Sequence, residues 1–141
     1  MADLEDNDYC FICGRENPIG LKLSFDLDLT HQAVRTVFRP GREHQGWTGR
    51  LHGGIVAAIL DEVMVNAAYL SDIPAVTGEM TIRYRAALNT AQRLHFLGRI
   101  TETRVKFMKA KAECRTDDGN LVAESSALLI RGPLKADGRV G

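Results

Sequence analysis

Neither sign of charge is in excess: 18 Lys and Arg face 18 Asp and Glu, for a formal net charge of zero. Binding to nucleic-acid phosphates normally leaves a basic surplus, so nucleic acid is not an expected partner. Cysteine is scarce as well. Of the three present, Cys10 and Cys13 form a single Cys-x-x-Cys-Gly, a spacing that suits metal or redox chemistry better than a structural disulfide in a reducing compartment. Zinc usually takes four ligands, however, and the one remaining thiol, Cys114, sits in a strand pattern. No metal or other cofactor is therefore expected, and the Cys-x-x-Cys reads as a packed turn at the start of the domain. The charged start and apolar run of a secretory signal are missing, which points to the cytoplasm. So is an uninterrupted apolar run of the roughly 20 residues that cross a bilayer, and no membrane association is expected.

What the chain does have is one long apolar stretch, Leu51 to Leu70, LHGGIVAAILDEVMVNAAYL. From Gly53 to Leu70 it contains no proline, and only Asp61, Glu62 and Asn66 break its apolar, small or amphipathic character. A helix apolar on all sides is normally surrounded by protein. At 1.5 Å per residue this one would run about 27 Å, the width of a small domain. The Ser71-Asp72-Ile73-Pro74 that follows is a helix stop.

Around the helix the pattern is that of strands. Leu21, Leu23, Phe25, Leu27 and Leu29 alternate with Lys22, Ser24, Asp26 and Asp28, and Val34, Thr36 and Phe38 alternate with Arg35, Val37 and Arg39. After the helix, Val76, Met80, Ile82 and Tyr84 oppose Thr77, Glu79, Thr81, Arg83 and Arg85. Strand-like runs follow over residues 93–104, 105–116 and 121–131, the last two separated by the turn Asp117-Asp118-Gly119-Asn120. Flexible ends are expected near residues 1–8 and 132–141. Two strands, a buried helix and four more strands with short connections predict one α+β domain whose mainly antiparallel sheet curls around the helix. At 141 residues such a domain buries a core without staples.

Two features of the helix suggest chemistry. Gly53 and Gly54 at its start permit close approach to first-turn N–H groups, which suit a carbonyl oxygen or a developing oxyanion at the positive end of the helix dipole. Asp61, in the third turn, is a carboxylate in an apolar element, costly without partners or a task, and able to act as nucleophile or general base. Paired glycines that only allow tight packing, and an acid that only pairs with an arginine or an N–H, are the structural alternatives. Asp61 lies eight residues beyond Gly53, about 12 Å along the helix, too far for one carbonyl to touch both. If both act together, the donor comes from one subunit and the acid from another, with two sites per symmetric dimer.

His52-Gly53-Gly54, followed by six residues and Asp61, resembles the HGG-x6-D motif of hotdog-fold acyl-CoA thioesterases, of the phenylacetate-pathway and human thioesterase-superfamily branch. Val76 to Tyr84 is similar to that family's third strand. Cys10-Phe-Ile-Cys-Gly and Asn17-Pro-Ile-Gly-Leu21 resemble the leader of a subset. The resemblance implies a hotdog fold, an antiparallel sheet of about six strands wrapped around one central helix, in homodimers that can pair into tetramers. It implies acyl-CoA hydrolysis with the Gly53 N–H as oxyanion donor, His52 holding the thioester end or the entrance loop, Asp61 as nucleophile or base, and Thr77 positioning water or Asp61. Gly54, Gln45, Arg83 and Arg85 are candidate substrate contacts, and Lys106, Lys109 and Lys111 further ones for the phosphates of coenzyme A. The sequence departs from the family by having Gly46, beside Gln45, where many members carry Asn or Gln, and Tyr84-Arg-Ala-Ala87 where many read Tyr-x-x-Pro. Glu62 competes with Asp61, but neighbouring helix residues are rotated by about 100°, and the motif register favours Asp61 and leaves Glu62 a packing or pairing role. The rival expectation is a non-catalytic acyl-CoA-binding protein using the same groove. The hotdog dehydratases, with a histidine-and-proline entrance absent here, are a weaker one.

Overall fold

The structure is a computed structural model and describes residues 6–131. Most of the expected leading segment and the whole expected tail lie outside them. Within the described part, Asp8 is already tied in, its carbonyl accepting from Glu16 N–H at 3.0 Å and its carboxylate from Arg15 N–H at 3.0 Å.

The elements follow in the order β1 (Asp26–Asp28), β2 (Ala33–Phe38), a 3-10 turn (Arg42–His44), α1 (Gly53–Tyr69), β3 (Ala75–Tyr84), β4 (Leu94–Thr103), β5 (Phe107–Thr116) and β6 (Leu121–Arg131). The strands form one six-stranded sheet in the order β1-β2-β4-β5-β6-β3, and every neighbouring pair is antiparallel. The long helix packs against the inner face, most closely over β4. Val56, Ile59, Leu60, Val63, Met64, Ala67 and Ala68 of α1 are buried against Val34, Leu94, Phe96, Met108, Ala110, Cys114, Ala123 and Leu129 from the strands. Each fully buried Val, Leu, Ile, Phe or Met contributes about 1.5–3 kcal/mol, so this interface is the principal source of stability. No helix among the described residues is long and apolar enough to cross a membrane.

Two strand expectations need correction. The alternation from Leu21 to Leu29 reads as one strand, yet only Asp26–Asp28 pairs with the sheet, and Leu27 and Leu29 are 59% and 73% exposed. Lys22 takes a left-handed conformation, φ 53°, which bends the chain, and Leu21 N–H and Leu23 N–H bond instead to the carbonyls of Phe11 and Ile12 at 2.9 Å each. The first half of the run is spent anchoring the Cys10–Gly14 turn.

The second correction concerns β3. Strict alternation places Thr77 with Glu79, Thr81 and Arg83, away from Met80 and Ile82. A bulge at Gly78 breaks the register, so that Thr77 pairs with Leu129 and Met80 with Ala127, both inner-face residues of β6. Thr77 thus turns toward the helix.

Candidate active site

The helix start is built from the loop before it. Gln45 bridges to Leu51 and Arg50 to Asn89, while Leu51 N–H bonds to the Leu88 carbonyl at 2.9 Å and Thr90 N–H to that of Gly49 at 3.1 Å. His52 N–H donates to the carbonyl of His44 at 2.9 Å, and His44 is itself fixed by Gly41 N–H at 2.9 Å and by an edge-on contact with Phe38. His52 is the N-cap residue: its Nδ1 accepts from Gly54 N–H at 2.8 Å, occupying one of the donors that a helix N-terminus leaves open. Ile55 N–H is taken by the His52 carbonyl at 3.0 Å. Gly53 N–H makes no hydrogen bond among the described residues. Of the paired glycines, Gly53 therefore keeps the free donor and Gly54 does not.

Gly53 is also held from the sheet. The Tyr84 hydroxyl donates to its carbonyl at 2.6 Å, and burial raises the pKa of that phenol above its ordinary value, keeping it a donor. Sequence reasoning missed this anchor, although Tyr84 falls on the same face of β3 as Met80 and Ile82.

Two turns further on, Asp61 is half-buried on α1, and Thr77 Oγ1 donates a hydrogen bond to its Oδ1. A carboxylate bonded through one oxygen retains lone pairs on the other for a substrate or a water. Tyr84 and Thr77 stand near opposite ends of β3, so this one strand lines the helix from Gly53 to Asp61. β3 is also an edge of the sheet, paired on one side only, by β6.

The remaining predicted contacts disperse. Gln45 spends its side-chain carbonyl on Gly49 N–H at 3.1 Å, within its own loop. Position 46 does adjoin the motif histidine: a Cβ on Gly46 would lie 3.4 Å from His52 Cδ2. Arg83 and Arg85 flank Tyr84 on the other side of β3. Arg85 pairs with Glu124 at 2.8 Å, and Arg83 with Thr81, Arg99, Lys111 and Glu124 lines a concavity on the outer face of the sheet. The sheet separates that concavity from Asp61 and Gly53. Cys114 is buried in the core, which pushes its thiol up to about 12, so it is a packing residue and not a nucleophile.

A six-stranded antiparallel sheet wrapped on one long helix defines the class, a hotdog fold, and the capped glycine pair at the helix start and the hydrogen-bonded acid two turns on are its candidate site. The family follows from comparison. The thioesterase superfamily model matches residues 48–123, more than half of the chain, and the protein belongs to that superfamily. Among solved structures, a thioesterase superfamily protein superimposes with a TM-score of 0.80 at 21% identity, over 86% of this chain and 62% of its own. Zebrafish thioesterase superfamily member 2 does so with a TM-score of 0.76 at 18% identity, over 85% and 90%. A hypothetical thioesterase from Streptococcus pneumoniae, solved with coenzyme A, gives 0.73 at 13% identity, over 84% and 88%. The chain spans less than two thirds of the first of these, and at such identities the likeness is one of fold. No curated protein sequence matches the chain significantly.

Proposed function

We propose that the protein is a thioesterase that hydrolyses an acyl-CoA to the free acid and coenzyme A in sites shared between two copies of the chain. The observation that carries this reading is the Thr77–Asp61 hydrogen bond at the sheet edge, on the same helix whose first residue, Gly53, has an N–H without a hydrogen-bond partner among the described residues. The two groups are separated by about 12 Å along α1, so a two-fold partner across the β3 edge supplies the missing half of each site. The ten residues of β3 carry an unpaired row of N–H and C=O groups, which favours that edge as the meeting place.

In this mechanism Asp61 takes a proton from water, and the water oxygen bonds to the thioester carbon. Negative charge develops on the carbonyl oxygen at the Gly53 N–H of the other chain, and the C–S bond then breaks, with the proton passing to the thiolate. Thr77 holds Asp61 in the required rotamer. Direct attack by Asp61 through an acyl anhydride, then hydrolysed by water, uses the same geometry. His52 keeps the entrance in shape by capping the helix, and Gly54 contributes through that cap. Arg83 and Arg85 remain candidate contacts for the coenzyme A phosphates where the substrate leaves the shared groove. Nothing in the mechanism calls for a cofactor, and the cytoplasm is its proposed setting.

The test is thiol release from short, long and aromatic acyl-CoA esters, with the molecular mass measured under the same conditions. Turnover by a dimer or a tetramer is expected. No turnover across the panel, with the ester retained, would replace hydrolysis by binding, and turnover by a strict monomer would end the shared-site proposal.

Thr77→Ala is expected to lower kcat by about 10- to 100-fold with KM little changed, because Asp61 loses its positioning bond and not its charge. Thr77→Ser should recover most of the loss. An equal rise in KM, with no recovery by Ser, would make Thr77 a packing residue only.

A further inference from the structure

A second cluster on α1 is used by none of this chemistry. Cys10 Sγ and Cys13 Sγ each lie 3.5 Å from the same oxygen of Glu62, and all three residues are half-buried. The chain between the cysteines is a tight turn: Gly14 N–H donates to the Cys10 carbonyl at 2.8 Å and Ile12 N–H points at Cys10 Sγ at 3.4 Å. A Cβ on Gly14 would stand 2.4 Å from Cys10 N and 2.7 Å from the carbonyl oxygens of Asp8 and Cys10, so only glycine closes this turn. The turn in turn directs both sulfurs to the helix. On the other side, Asn66 Nδ2 donates to the same Glu62 oxygen at 3.0 Å and orients the carboxylate, as outer partners of metal ligands do.

The distances match a known geometry. For a tetrahedral ion with metal–sulfur bonds of about 2.3 Å and metal–oxygen bonds of about 2.0 Å, the sulfur-to-oxygen edge is about 3.5 Å. Two such edges share Glu62 here. We propose that Cys10, Cys13 and Glu62 bind a thiophilic divalent ion, zinc foremost, with a fourth position open to water or an external ligand. Two thiolates select a soft ion over magnesium or calcium. Bound there, the ion ties the Cys10–Gly14 turn to the middle of the central helix, one residue from Asp61. This site does not depend on what reaction the protein catalyses.

Metal content of the full-length protein, purified under reducing conditions without an affinity metal, provides the test. About one zinc per chain is expected after gel filtration, with the Cys10→Ser and Cys13→Ser variants losing it and Glu62→Gln weakening it by at least about tenfold. Because the serine variants can fail to fold, the wild-type protein stripped by a chelator is also titrated with cobalt. A near-ultraviolet thiolate-to-cobalt charge-transfer band that saturates at one ion per chain supports the site, as does a fall in the thermal midpoint on stripping that zinc alone reverses. Absence of both zinc and the cobalt band in folded wild-type protein would overturn the proposal. So would ready air oxidation of Cys10 and Cys13 to a disulfide that zinc fails to prevent, since the pair would then be a redox couple.

Discussion

Asp61→Asn should remove most of the turnover, lowering kcat by roughly 10²- to 10⁴-fold, while the protein folds as before. The substitution is nearly isosteric, and the asparagine side-chain oxygen still accepts from Thr77 Oγ1, so the local bond at the sheet edge survives. What is lost is an oxygen able to take a proton or attack a carbonyl carbon. Binding of the ester rests on other groups, so KM should stay within a few-fold, the mark of a group that acts in the transition state alone. Parallel thermal melts of wild type and variant keep loss of function apart from loss of fold. Near-wild-type kcat in a folded variant would remove Asp61 from the chemistry. A single turnover in heavy-oxygen water adds a one-way test of its role: label in the Asp61 carboxylate identifies a nucleophile whose anhydride is opened at the Asp61 carbon, whereas label confined to the released acid fits both a general base and an anhydride opened at the acyl carbon.

Much of this was readable from periodicity. The 18 residues without proline from Gly53 give the helix almost to its last residue, and the runs ending at Thr116 and Arg131 become β5 and β6 because the Asp117–Asn120 turn can only end a strand. What the pattern conceals lies where one residue changes the register or the partner. Gly78 adds a residue to β3 without a partner on β6, and a period of two cannot reveal that the face of Thr77 has thereby changed. Resemblance placed Thr77 near Asp61 while alternation placed it on the far face, and the bulge reconciles them. Lys22 likewise lies in a run that alternates well, yet its positive φ sends the segment to the cysteine turn. The proximity of the cysteine pair to Glu62 was hidden in sequence because Glu62 lies 49 residues from Cys13, and only the packing of the turn on the helix brings them together. Spacing rules see neighbours on one local segment and are blind to one delivered by the core.

The largest effect on stability is expected from a glycine that carries no motif. Gly98, in β4, lies where the helix presses on the sheet: an added Cβ would come within 2.4 Å of the Val63 carbonyl oxygen, 2.5 Å of its carbon and 2.8 Å of its Cγ2. These atoms belong mainly to backbone in the middle of α1, held by its own i to i+4 bonds, so no rotamer change relieves the clash. Gly98→Ala therefore requires the helix to lift from the sheet, loosening its packing against Phe96, Leu94 and Met108. Two effects of opposite sign compete. Replacing glycine where the backbone is extended normally stabilises by about 0.4–1 kcal/mol, because the unfolded chain loses freedom, whereas forcing extra volume into a packed core costs about 1–3 kcal/mol and sometimes more. Contact with backbone decides for the second, and a net loss of about 2–3 kcal/mol is expected, read as a lower urea midpoint at unchanged slope. Because α1 carries both Gly53 and Asp61, the surviving folded fraction should also turn over substrate more slowly. An unchanged or raised midpoint would mean that the helix has room to ride outward, and that the sheet does not fix the position of the acid as closely as the Thr77 bond implies.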